Sequence, residues 1–353
     1  MIESGVVIKN DAVWQGHPDV AFFQNHFYVV FRESSAHRAN ENTTIRVVKS
    51  LDGLVYHSET VVMRSEGGRY NCPRLKVINN KMYVICDFVM AKSGQDFVVA
   101  ENDTSNTSVH IIHTDDGFNW HPVIETNIRG IVPDRICLTY NRKWLITSHR
   151  CDHISKELVQ DVWCSSQGEG IWGCCATISR PSFNLCEGSI CEDANQNLIC
   201  LMRENSQKGY AANISFSKDC GESWSTPGPT RLFGCHRPAL GRLRSGNFLV
   251  TYREQTSIFQ KRCWAKNTFA ALIDHRSLCD SSHCNRINIL PLEHDSATHS
   301  DGGYTGWIQL PDGRIYVVNY VVCPSDSHKI FDKKLSKDGK PFIKWYMFSE
   351  EDF

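Results

Sequence analysis

One hairpin-like unit recurs six times along the chain, and no other feature constrains the fold as much. Each copy has a short β-rich run, a two-residue turn, and a second run of mostly apolar residues ending in a polar group. The first three copies are His17 to Phe23 with Phe27 to Glu33, Cys72 to Ile78 with Met82 to Phe88, and Val132 to Leu138 with Trp144 to Arg150. The last three are Cys186 to Cys191 with Leu198 to Glu204, Cys235 to Leu240 with Phe248 to Glu254, and Gly303 to Ile308 with Ile315 to Tyr320. Turn pairs such as Gln24-Asn25, Asn79-Asn80 and Asp312-Gly313 separate the runs. Val, Ile, Tyr and Phe favour strands, and Asn, Asp and Gly favour the tight turns between them. Copies begin about 50 to 67 residues apart, which leaves room for two more strands in each. Six four-stranded units whose faces can be buried only against one another form a six-bladed β-propeller, all-β and spanning residues 1–353 as one domain. The opening run from Gly5 to Trp14 has no partner in its own unit and is expected to complete the last blade. Helix signals are nearly absent.

Composition excludes several functional classes. Lys plus Arg number 38 and Asp plus Glu 39, so the net charge of −1 offers no footprint for nucleic acid or an anionic membrane surface. No apolar run approaches the ~20 residues of a spanning helix, and the first residues lack the build of a secretory signal, so a soluble, cytoplasmic protein is expected. The sixteen cysteines form no Cys-x-x-Cys pair. Cys279 with His283-Cys284 comes nearest to metal spacing, and Cys174-Cys175 lies elsewhere, so reduced thiols packed as small apolar groups are expected, with no metal and no cofactor. Four Asn-x-Ser/Thr sequons, at Asn42, Asn102, Asn106 and Asn213, matter only for an exported chain. Nucleotide-binding loops, zinc-protease motifs and serine-nucleophile elbows are missing.

A second pattern, Ser-x-Asp-x-Gly-x-Thr-Trp, falls in the outer halves of the units. Ser217 to Trp224 fits it with Ser223 for Thr, His113 to Trp120 keeps Asp115, Gly117 and Trp120, Lys49 to Tyr56 is a worn copy, and Ser165 to Trp172 is barely one. Asp accepts backbone N–H bonds, Gly takes a positive φ, and Trp packs beneath the turn, so the pattern is structural.

These turns on a six-fold blade repeat resemble the sialidase (neuraminidase) superfamily over essentially the whole chain. Glu187 to Arg203 is similar to the sialidase segment in which a Glu at a strand start precedes a carboxylate-binding Arg. Gly303-Tyr304 and the residues after it resemble the segment presenting the tyrosine nucleophile. The resemblance implies Tyr304 as nucleophile, Glu187 as its base and Arg203 as one clamp on a substrate carboxylate. It supplies one of the family's three arginines: Gly16 to Asp19 lacks the first, Thr268 to Leu272 occupies the stretch of the third, and the acid/base Asp falls near Arg38.

Read without the family, the inner strands of a propeller all start at one mouth of the channel, and the second strands of their hairpins end there. Asp19, Arg74, Asp134, Arg135, Glu187, Arg237 and Tyr304 therefore converge with Arg32, Arg203 and Arg253, and with His37 and Arg38 in the loop beyond Arg32. Arg forks recognise carboxylates bidentately, so this face is expected to bind an acidic sugar or glycan. Asp19 and Asp134 are the first candidates for the proton donor, and His37 is the third. Three functions stay open: an exo-acting glycoside hydrolase removing a terminal acidic sugar, a non-catalytic carbohydrate-binding propeller, and a polysaccharide lyase on the same fold.

Overall fold

A computed structural model describes residues 2–38, 42–90, 96–166, 168–255, 266–279, 287–297, 299–323 and 339–353. His283 and Cys284 lie outside the described residues. Six four-stranded antiparallel sheets follow one another along the chain. Their first strands are Trp14–Phe23, Arg69–Ile78, Cys137–Leu138, Leu185–Glu192, Cys235–Arg242 and Gly306–Gln309 in blades 1 to 6. Side chains near the starts of these strands reach one another across the ring: Arg135 of blade 3 bonds Asp19 of blade 1, and Arg237 of blade 5 bonds the Val132 and Pro133 carbonyls of blade 3. The first strands therefore line the central channel. Among the described residues two short α-helices, Phe97–Glu101 and His275–Cys279, and two single 3-10 turns, Thr104–Asn106 and Glu350–Asp352, interrupt an otherwise β architecture.

Among the described residues the core is six large clusters, one between each pair of neighbouring blades, and a small one of Val89 with Ala100. The second strands read as continuous apolar runs because both their faces are buried, and the two-residue period sends alternate side chains to opposite neighbours. Val29 and Phe31 pack towards blade 6, and Tyr28 and Val30 towards blade 2. Leu198 and Cys200 likewise pack towards blade 3, and Ile199 and Leu201 towards blade 5. Cys72, Cys86, Cys137, Cys186, Cys191, Cys200 and Cys235 are buried free thiols among the described residues, the small apolar role expected of them. Cys174 and Cys175 lie in the outer strand Gly173–Ile178 of blade 3.

The turn motifs do what their composition implies, with one change of residue. Ser217 Oγ accepts from the Gly221 amide at 2.9 Å, and Asp219 accepts from the Ser223 amide at 2.9 Å. In the second copy Thr114 and Asp116 take these roles, bonding the amides of Gly117 and Phe118 at 2.9 and 2.8 Å. Asp115 instead contacts His121.

The expected closing strand is shorter than the sequence suggests. Glu3–Ile8 pairs with Phe342–Phe348 and completes blade 6, while Trp14 already belongs to the inner strand of blade 1. The ring is thus closed by hydrogen bonds between the two ends of the chain. Deleting residues 2–8 should expose an edge and uncover the cluster around Val7, at a cost of roughly 3 kcal/mol or more. A thermal transition unchanged by this deletion would show that closure does not depend on the strand.

Candidate active site at one mouth of the channel

In every blade one residue near the start of the inner strand takes a positive φ: His17 at 54°, Cys72 at 44°, Val132 at 54°, Glu187 at 51°, Arg237 at 50° and Gly303 at 91°. In blades 1, 2, 4 and 5 the ladder slips there, between Gly16 and Asp19, Asn71 and Arg74, Cys186 and Ser189, and His236 and Ala239. Pro18, Pro73, Pro133 and Pro238 follow four of the six, where a proline without an N–H is tolerated because pairing is interrupted. Glu187 occupies the bulge of blade 4, and Tyr304 follows the equivalent residue of blade 6. Gly303 is required there, since a Cβ would come within 2.6 Å of the Arg253 side chain.

These two bulges meet. Tyr304 Oη donates to Glu187 Oε1 at 2.8 Å and accepts from Arg203 Nη1 at 3.2 Å and Arg253 Nη2 at 3.0 Å. Arg203 Nη1 lies 3.1 Å from both Glu187 oxygens, and the Arg237 amide donates to Oε2 at 2.9 Å. The Arg253 guanidinium also stands over the Tyr304 ring, 4.2 Å from its centroid. Burial by itself would raise the Glu187 carboxyl; Arg203, Arg253 and Arg237 outweigh it and hold the group well below the usual range. Burial raises the Tyr304 phenol, against the pull of Arg253 and Arg203. The pair is thus a neutral phenol hydrogen-bonded to an ionised carboxylate.

A histidine–carboxylate pair lies beside it. His17 stacks on Tyr304 with centroids 5.3 Å apart, and His37 meets His17 edge to face at 5.3 Å. His37 Nδ1 is 2.9 Å from both Asp301 oxygens, and Asp301 also accepts from Trp14 Nε1 at 2.7 Å and Lys266 Nζ at 3.4 Å. Burial would raise the Asp301 carboxyl, but its bonds to His37 and Trp14 and the charges of His37 and Lys266 hold it far below. The His37 side chain keeps 40% of its surface exposed, against 18% for Asp301. Arg32 fixes the loop carrying it, donating to Ser34 Oγ and to the Ala36 and His37 carbonyls at 2.8 to 3.0 Å. Across the site His236 contacts Arg253 at 3.2 Å, and burial lowers its pKa to about 2.

The other charges expected at this mouth sit deeper and form a plug. Asp19, with no exposed surface, accepts from Arg135 Nε and the Leu75 amide at 2.8 Å each. Asp134 is 5% exposed; it accepts from the Ile190 amide at 3.3 Å and faces Arg74 Nε at 3.6 Å. Gly306 makes room for Asp19, whose Oδ1 lies 1.8 Å from where a Cβ would stand. Arg74 Nη1 donates to the Thr305 carbonyl at 2.7 Å, and Arg237 braces the blade 3 bulge. Of the seven arginines expected to form one anion site, Arg203 and Arg253 therefore reach Tyr304. Arg74, Arg135 and Arg237 brace the channel, Arg32 braces a loop, and Arg38 is exposed at that loop's end.

Two groups escaped the sequence reading or were placed by it only in part. Asp301 stands three residues before Tyr304, a position that repeat logic does not mark. Arg253 ends its strand as Arg203 does, and in the sheet it pairs with Thr268, so the guanidinium comes from the strand beside the stretch Thr268 to Leu272 that the resemblance indicated.

No family profile matches the chain, and no curated protein matches it by sequence. Solved structures do match its fold. A protein of unknown function from Dyadobacter fermentans superposes with a TM-score of 0.76 at 15% identity, covering 98% of each chain. Trypanosoma rangeli sialidase in complex with sialic acid gives 0.67 at 11% identity, over 98% of this chain and 58% of that one. The Hadza microbial sialidase Hz136 gives 0.67 at 14%, over 86% and 63%. The chain thus spans less than two thirds of the length of these sialidases, and it has the six-bladed propeller fold of sialidase structures.

Asp87 supplies a pH test of the site's surroundings. It is fully buried, neither oxygen has a hydrogen-bond partner, and burial raises its pKa to about 6. Below pH ~3 the carboxyl is neutral in the folded and unfolded chain alike. As pH rises towards 6 the unfolded chain ionises first, so stability falls, by about 3 kcal/mol once both are ionised. Asp87→Asn should therefore melt higher than the parent at pH 8, with the gain gone by pH 3; an equal gain at both values would exclude ionisation as the cause.

Proposed function

We propose that the chain is a sialidase-like exo-glycosidase that releases a terminal sugar bearing a carboxylate at its anomeric carbon, sialic acid or a related acid, with Tyr304 as nucleophile. The observation that carries this reading is the single Tyr304 oxygen held by Glu187, Arg203 and Arg253 at 2.8 to 3.2 Å. A phenol with a raised pKa attacks only if its proton leaves as the bond forms, and Glu187, kept ionised by three arginines, accepts it. A carboxylate nucleophile would be repelled by an anionic anomeric centre; a neutral tyrosine is not. The substrate carboxylate would lie against Arg253, whose Nη1 makes no hydrogen bond among the described residues, and against Arg203.

His37, the exposed member of the His37–Asp301 pair, is assigned as proton donor. As its imidazolium it protonates the departing glycosidic oxygen while Tyr304 Oη bonds the anomeric carbon. It then takes a proton from water, which displaces the tyrosine, and Glu187 returns the phenol's proton. Two displacements retain configuration. Asp301 orients the imidazole through the bond to Nδ1. Asp19 and Asp134, bound within the plug, stay out of this path.

Chromogenic glycosides of sialic acid and related nonulosonic acids test the reading, with product configuration followed by NMR. Tyr304→Phe should abolish turnover while binding stays within about threefold, and Glu187→Gln should lower kcat by about 100-fold or more. Arg253→Met should raise KM by tenfold or more, since a charge-assisted bond contributes ~1.5–3 kcal/mol. Full activity in Tyr304→Phe would end the proposal. An unsaturated product absorbing in the near ultraviolet would indicate a lyase, and binding without turnover a carbohydrate-binding propeller.

A further inference from the structure

The channel has a second mouth, where the inner strands end, and it opens into a cavity of about 340 Å³ whose charged lining is Arg74, Lys76, Arg135 and Arg242 against Asp134 and Glu192. Its charges do not balance. Arg135 is matched by Asp19 and Arg74 by Asp134, and both Glu192 oxygens accept from the Tyr140 amide at 3.1 and 3.0 Å. Lys76 and Arg242 have no hydrogen bond or ion pair among the described residues. Arg74 is 3% exposed, and although Nη1 donates to the Thr305 carbonyl, Nε and Nη2 make no hydrogen bond. Burial lowers the pKa of Lys76, and the charge of Arg135 adds to this against the opposing pull of Asp134 and Asp19. A buried guanidinium edge with unused donors next to an unpaired ammonium is costly when empty and complementary to an oxyanion when filled.

We propose that this distal cavity is a second binding site, specific for a small molecule bearing an oxyanion, either a carboxylate or a phosphate, held between Lys76 and Arg74 with Arg242 at the rim. The volume suits a body of about monosaccharide size. The site lies on the opposite face of the plug from Tyr304 and does not depend on catalysis there. Arg74 belongs to both levels, because its Nη1 holds the carbonyl next to Tyr304.

Calorimetric titration with inorganic phosphate and with D-gluconate tests the site and tells the two oxyanions apart, and diffraction from crystals soaked in selenate locates the anion by its anomalous signal. Selenate density is expected beside Lys76. Lys76→Met should weaken binding of the preferred probe by about tenfold or more, the loss of one charge-assisted bond. Lys76→Met should also melt no lower than the parent in anion-free buffer, since it removes an unpaired charge. Arg242→Ala, an exposed change that leaves the core intact, should weaken binding about threefold and keeps the test valid if Lys76→Met folds poorly. The proposal is overturned if neither probe binds, if both variants bind as the parent does, or if selenate appears only at the Arg203–Arg253 mouth.

Discussion

The interruption near the start of each inner strand is the constraint on which this molecule depends. A regular strand would alternate its side chains between the two neighbouring blades and put few polar groups on the axis. One residue at positive φ breaks that alternation and turns a side chain into the channel. Five of the six positions carry a non-glycine residue, and one of these is the β-branched Val132, so the conformation is held against its intrinsic cost. The proline that follows in four blades removes an N–H where the ladder could not have used it. Blades 4 and 6 depart from this pattern with Gly188 and Tyr304, and these two blades build the candidate active site.

Electrostatics in the channel follow from the same geometry. Six inner strands converging on one axis bring like and unlike charges close in a space with little water, where unpaired ions are costly. The molecule answers in layers. At one mouth Glu187 is surrounded by Arg203, Arg253 and Arg237, which makes a buried carboxylate ionised and leaves net positive charge facing outward. Below it, Asp19 and Asp134 compensate Arg135 and Arg74, and backbone carbonyls accept one further donor each from Arg135, Arg74 and Arg237. At the far mouth compensation stops short, with Glu192 the one carboxylate left to set against Lys76 and Arg242.

The apolar clusters between blades explain why such a polar axis is tolerated. Every second strand is buried on both faces, and each cluster joins residues of two blades, so the ring is stabilised around its circumference rather than at its centre. The Glu3–Ile8 strand extends this around the full circle.

What the sequence determined by itself was the ring. Blade number, the hairpins, the turn motifs and the closing strand all rest on local periodicity and turn chemistry, which act over a few residues. Tyr304, Glu187 and Arg203 were also readable, because each stands at a strand start or end that the repeat makes visible. Only the tertiary structure decided which charged residues stand around Tyr304 at the open mouth and which fill the plug. Asp19 and Glu187 both open inner strands, yet Glu187 lies in its bulge and Asp19 two residues past it, and that offset separates the pocket from the plug. His37 and Asp301 are 264 positions apart, and Arg253 reaches Tyr304 from the neighbouring blade. Such pairings depend on how six blades close about one axis, a geometry that no local pattern encodes.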